Sequence, residues 1–141
     1  MATTTATITL SSSDLTDNVL SISNTATLYT AGTDTGITET TGLARVKTSS
    51  GNNTILLDFG LTGGVAQDMT ADKSAKVYIK NVNDRGDGTK YVDILIKTRE
   101  IGRLYGGDWM FIPYSGGSGE DIEYTASDTT ETTLEYCVFY E

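Results

Sequence analysis

The feature that most restricts this chain is an alternation of apolar and polar residues with a period of two, repeated in segment after segment. Near the N-terminus Ala6, Ile8 and Leu10 alternate with Thr5, Thr7 and Thr9. Leu20, Ile22, Ala26 and Leu28 then share one face, with Val19, Ser21, Ser23 and Thr25 on the other. Ala75, Val77 and Ile79 alternate with Lys76, Tyr78 and Lys80, and Val92, Ile94 and Ile96 with Asp93 and Lys97. Near the C-terminus Leu134, Tyr136, Val138 and Tyr140 lie opposite Cys137 and Phe139. A side chain on a pleated strand changes face at every residue, so this period marks strands; a helix would place apolar residues three and four apart. Threonine supplies 25 of the 141 residues. Its β-branch stiffens χ1 and suits a half-exposed strand better than a helix.

Turn-forming clusters separate these runs: Ser11–Asp14, Ala31–Thr41, Ser49–Asn52, Gly60–Lys73, Asn81–Thr89, Gly106-Gly107-Asp108 and Ser115–Gly119. Between them the pattern predicts a strand around Leu43–Thr48. In the next, Ile55, Leu57 and Phe59 point one way. A hairpin follows, joining 75–80 to 92–96, with Asp93 and Lys97 outward and able to pair with the outward lysines. A strand over Trp109–Ile112 should stop at Pro113, which cannot donate to a ladder. Strands over Asp121–Ala126 and Thr132–Tyr140 close the chain, the last apolar on both faces and therefore central in its sheet or covered by a partner. No linker composition interrupts the series. The expectation is all-β: one antiparallel β-sandwich over residues 1–141, jelly-roll or immunoglobulin-like, with eight or nine short strands.

The formal charge of −9 would repel phosphate backbones and anionic membranes, so neither nucleic acid nor membrane is an expected partner. The start, Met1-Ala2-Thr3, lacks the basic and apolar regions of a signal peptide, and no apolar run reaches spanning length. With no histidine, the commonest general base is missing. Cys137, the single cysteine, cannot form an internal disulfide, has no activating base, and reads as a small buried hydrophobe. Acidic residues are many, but no pair stands apart as a glycosidase pair would. The expectation is no enzyme, no cofactor and no metal.

Three short motifs read as turn chemistry. The Asn81–Gly88 loop departs from a calcium loop at Arg85, and again at Val92 where a glutamate is needed. Arg85-Gly86-Asp87 falls where a turn wants glycine and aspartate, and the sequon Asn52-Asn53-Thr54 matters only in a secreted protein. Tyr105, Trp109, Phe111 and Tyr114 form an aromatic group, with Tyr140 at the chain's end. Such residues build cores, but they are also enriched at the centres of protein interfaces, so these five are the candidate interface residues. A core Trp109 would cost roughly 3–5 kcal/mol on truncation to alanine.

Specific runs also carry a resemblance. Val77-Tyr-Ile-Lys-Asn-Val-Asn83, Lys90-Tyr-Val-Asp-Ile-Leu-Ile96, Ile101-Gly-Arg-Leu-Tyr-Gly-Gly-Asp-Trp-Met-Phe-Ile-Pro-Tyr114 and Leu134-Glu-Tyr-Cys-Val-Phe-Tyr-Glu141 resemble a family of small virion proteins of tailed bacteriophages. The opening Met1–Leu10 and the segment Thr41-Gly-Leu-Ala-Arg45 are similar to structural proteins of phages of marine cyanobacteria. The resemblance covers most of the chain, but its motifs are structural and bring no catalytic residues. It implies a capsid decoration (cement) protein, made in the host bacterial cytoplasm and located on the capsid surface of the virion. Its partners would be the major capsid protein or other virion structural proteins, and further copies of itself in a homo-oligomer such as a trimer. A tail, neck or fibre-base component is the alternative. From a different class comes a carbohydrate-binding β-sandwich module, with Trp109 and Tyr114 as stacking platforms.

Overall fold

A computed structural model of the chain describes residues 3–15, 17, 19–30, 32–48, 53–57, 74–86, 88–115, 120–127 and 131–140. The expected Gly60–Lys73 loop, Phe59, Asn52 of the sequon, Asp87 of the Arg-Gly-Asp triplet and residues 116–119 lie outside them. The described structure is all-β and antiparallel, with eleven strands. No helix among the described residues is long and apolar enough to cross a membrane. Although no linker marks a boundary, the chain divides into two compact units, Met1–Thr38 and Glu39–Glu141.

The first unit is a two-stranded ribbon of β1 (Thr5–Ser12) and β2 (Leu20–Thr27), paired from Thr5↔Thr27 to Ser12↔Leu20. The Leu28 N–H extends the ladder to the Thr4 carbonyl at 2.9 Å, and a bridge between Tyr29 and Gly36 closes the following loop.

The second unit contains β3 (Glu39–Thr40), β4 (Ala44–Thr48), β5 (Thr54–Leu57), β6 (Ser74–Asn81), β7 (Val92–Ile96), β8 (Arg99–Leu104), β9 (Trp109–Ser115), β10 (Ile122–Ala126) and β11 (Thr132–Tyr140). One sheet has the order β4-β11-β6-β9, with the short β3 continuing the line of β4 along β11; the other is β5-β10-β7-β8. β11 is central, the first of the two placements that its apolar faces allow. The alternating residues Val77, Ile79, Leu134 and Val138 of the first sheet meet Leu57, Val92, Ile94 and Ile122 of the second in one core cluster, all of them fully buried. Two four-strand layers with this interleaved order make a jelly roll; an immunoglobulin sandwich divides its strands differently.

Four local expectations are corrected. The pair 75–80 and 92–96 is not a hairpin: β6 bonds β11 and β9, β7 bonds β10 and β8, and the chain between them crosses from one sheet to the other. Asp93 therefore pairs with Arg103 across the β7–β8 ladder, at 2.6 Å, and not with the lysines of β6. In β5 the apolar face slips, because a register shift in its pairing with β10 leaves Leu56 without an opposite residue. Leu56 and Leu57 are consecutively buried and Ile55 turns outward, as a bulge allows. β9 runs on through Pro113; it is an edge strand, so no neighbour needs the missing N–H.

Arg99–Leu104, with little period-two signal, is a strand formed by a tight turn. Ile96 pairs with Arg99, so Lys97 and Thr98 alone make the connection, at φ 48° and 65°. Both central residues of such a turn must be left-handed, which Asn-Gly does easily and a β-branched threonine does not. Lys97→Asn with Thr98→Gly is expected to raise stability by about 1 kcal/mol, a few degrees in Tm, even after the greater entropy of an unfolded glycine. Thermal unfolding checks this.

The crossing from β6 is pinned by Asn81. Its side chain is fully buried. The Nδ2 group donates to the carbonyls of Lys90 (3.2 Å) and Leu104 (3.0 Å), and Oδ1 accepts from the backbone N–H and the amide of Asn83 (3.1 and 2.6 Å). The second crossing, Tyr105 to Asp108, is a tight turn with Gly107 at φ 84°. The Asp108 N–H bonds the Tyr105 carbonyl at 2.9 Å, and the Gly107 N–H bonds the Asn81 carbonyl at 2.8 Å. The two crossings thus lean on each other.

Candidate protein interface

The outer face of the β4-β11-β6-β9 sheet follows from strand register. Arg45, Glu135, Lys80 and Trp109 form one row across it. Cys137, Tyr78 and Phe111 form the next, and Thr40, Phe139, Lys76 and Pro113 the third. Trp109 remains 50% exposed. Its ring lies 6.5 Å from that of Tyr78, tilted by 38°. Phe111 and Phe139 are half-buried beside them.

Charge on this face runs against that of the chain. Arg45, Lys47, Lys76 and Lys80 stand on the outward positions of β4 and β6. The carboxylates that meet them are held. Arg45 places Nε and Nη2 on one oxygen of Glu135, at 2.9 and 2.8 Å, and Lys47 meets Glu131 at 2.6 Å. Glu135 is itself nearly buried, so the guanidinium offsets its desolvation. Desolvation, and then the neighbouring Glu135 carboxylate to which it hydrogen-bonds, push the Tyr78 phenol above its ordinary range. Cys137 is buried, its sulfur 3.4 Å from the Thr40 hydroxyl, in keeping with the small hydrophobe expected.

The five candidate residues separate into three places. Trp109 and Phe111 point outward on β9, while Tyr114, five residues from Trp109 and hence on the opposite face, packs against the core. Tyr140 also packs against the core. Tyr105 sits at the β8–β9 corner, its ring 5.6 Å from Tyr91. Over Tyr91, at 3.9 Å, lies the guanidinium of Arg103, fixed by its two bonds to Asp93. Trp109 and Tyr114 therefore cannot form a joint stacking platform. Phe139 and the four cations lie outside the aromatic group that marks the candidates, and the ring of Tyr78 by itself fits core and interface equally. Their signal was the outward phase of β6 and β11, readable once β9 is known to lie beside β6.

Half-exposed placement also replaces the core reading of Trp109. Trp109→Ala should cost about 1 kcal/mol, well short of the roughly 3–5 expected of a buried tryptophan. Chemical denaturation distinguishes the two.

Tyr114 tests the buried side of β9. Burial first, then the carboxylates of Glu120 and Asp121, push its phenol up to about 12, and its hydroxyl donates to the Glu120 carbonyl. A phenol whose pKa is higher folded than unfolded contributes stability that is complete below the unfolded value, near 10, and is lost as pH rises through the folded one. Stability should therefore fall between about pH 10 and pH 12. Tyr114→Phe should make that fall shallower, as read from denaturation midpoints across the range.

Among the described residues, no group of three or more Cys, Asp or Glu side chains could hold a metal ion. No protein-family model matches the chain, and no curated protein matches it. Among solved structures it is similar to a solution NMR structure of a de novo designed double-stranded β-helix, at 11% identity and a TM-score of 0.33 over 70% of this chain and 97% of that one. The jelly-roll assignment rests on strand order, not on that likeness.

Proposed function

We propose that this protein is a structural component of a bacteriophage particle, a decoration protein that docks on the shell of major capsid protein through the outer face of its β4-β11-β6-β9 sheet. The observation that carries the docking face is Trp109, half-exposed beside Tyr78 and paired across the ladder with Lys80, on a face whose outward positions also hold Arg45, Lys47 and Lys76 in a chain of net charge −9. Exposed aromatics cost solvation unless a partner covers them, and interface centres are enriched in them. The virion assignment draws on the resemblance of Val77–Asn83, Ile101–Tyr114 and Leu134–Glu141, segments that build most of this sheet. A jelly roll by itself does not decide among shell protein, lectin and enzyme. Its interior here is filled by side chains such as Val77, Ile94, Ile122 and Leu134.

Quantitative mass spectrometry of purified particles, with cryo-electron microscopy, tests the reading. Copy numbers comparable with those of the major capsid protein, and density on the shell, support it. A few copies confined to tail or neck would replace it with the adaptor role. Absence from particles, with retention on a glycan array, would replace it with sugar binding.

A further inference from the structure

We infer that the N-terminal ribbon is a self-association arm, which pairs face to face with the ribbon of a second copy of this chain about a two-fold axis. The register puts the pairs Ala6–Ala26, Ile8–Asn24, Leu10–Ile22 and Ser12–Leu20 on one face. The opposite face is all hydroxyl, from Thr5–Thr27 to Ser11–Ser21, and is laced by a Thr7–Thr25 bond of 2.8 Å. An amphipathic ribbon of this kind ordinarily lays its apolar face on a core. Here Ile8, Leu10 and Ile22 remain 37, 52 and 43% exposed. A lone two-stranded ribbon is marginal in water, so this face calls for a cover.

Three features select a second copy as that cover. Neither strand contains a charged residue, although the chain carries 19 carboxylates and a net charge of −9. Two copies can meet here without like charges facing each other. The apolar face is also graded in size. A two-fold axis across the strands at the Ile8–Asn24 row sets Leu10 and Ile22 of each copy over Ala6 and Ala26 of the other. Such an interface is self-complementary, as two-fold symmetry requires. Last, Asn24 is the polar residue in the middle of this face, and the same axis brings it onto its own copy. A carboxamide is both donor and acceptor, so two of them can bond reciprocally and fix the register, as a single core asparagine does in paired helices.

Size limits the strength. Eight residues at about 3.4 Å each, two strands wide, bury on the order of 500–600 Å² in total, below a standard interface. The dimer is therefore weak and concentration-dependent.

Sedimentation velocity on the full chain, at concentrations rising to about 1 mM, tests this. The expected result is a species of twice the monomer's 15.1 kDa that grows with concentration. Asn24 is exposed, so Asn24→Asp and Asn24→Lys should fold normally by circular dichroism. Each alone should stay monomeric, because like charges meet at the axis, and an equimolar mixture should restore the dimer. A wild-type chain that is monomeric throughout overturns the proposal. So does an Asn24→Asp protein that still dimerises, or a mixture that does not.

Discussion

Replacing Asn81 with leucine should lower the free energy of unfolding by about 3 kcal/mol, the largest loss expected from any single polar side chain among the described residues. The volume is kept and the burial is unchanged, so packing loss is small. What goes is the set of four hydrogen bonds at the crossing from β6 to β7. The carbonyls of Lys90 and Leu104 lose a donor, and the backbone N–H of Asn83 loses its acceptor. A buried group left without a partner costs about 1–3 kcal/mol; this applies in full at the Leu104 carbonyl, and the half-buried Lys90 and Asn83 groups add less each. Urea unfolding of Asn81→Leu measures the sum. A midpoint close to wild type would mean that water or loop movement satisfies these groups and that Asn81 does not hold the corner.

Gly106→Ala should be comparably damaging, for a steric reason. A Cβ at Gly106 would stand 2.4 Å from the Asp84 carbonyl oxygen, 2.6 Å from its carbon and 2.8 Å from the Asn83 oxygen. All three are backbone atoms, so no side-chain rotation relieves the clash and the loop after β6 must move. Overpacking of this kind costs about 1–3 kcal/mol and more where the backbone is pinned, as it is here by Asn81. The neighbouring Gly107→Ala meets no atom within 4 Å and suffers only its φ of 84°. It should be the milder variant of the two. Because Asn81 and Gly106 act on the same loop, the double variant should lose less than the sum of the single losses. Additive losses in that cycle would show the two crossings to be independent.

The outward and inward phases of β6, β7, β10 and β11 were legible from single residues. Val77 and Ile79 are inward and Lys76 and Lys80 outward because a pleat leaves no other choice once one face is buried. The breaks were legible too, since Asn81, Gly106, Gly107 and Asp108 are residues that turns favour. The candidate interface was half legible. Trp109 and Phe111 belong to it. Tyr114 and Tyr140 were grouped with them by aromaticity alone, although Tyr114 has the opposite strand parity. Arg99–Leu104 escaped because its alternation is broken by Gly102 and by a register shift in β7–β8, and because Lys97-Thr98 carries no turn signature.

By itself the sequence determined that this chain is all-β, where most of its strands lie, and which side of each is apolar. Those properties are local: they follow from the two-residue repeat of the pleat and from the φ preferences of glycine, asparagine and proline. Only the tertiary structure decided which strands are neighbours. Ladder hydrogen bonds join backbone groups that every residue carries, so an amphipathic strand fits equally well beside another or across the core from it. β6 and β7 were compatible with a hairpin and instead face each other through the sandwich. The choice was made at the crossing, where Asn81 and the space above Gly106 hold the chain on its way from one sheet to the other.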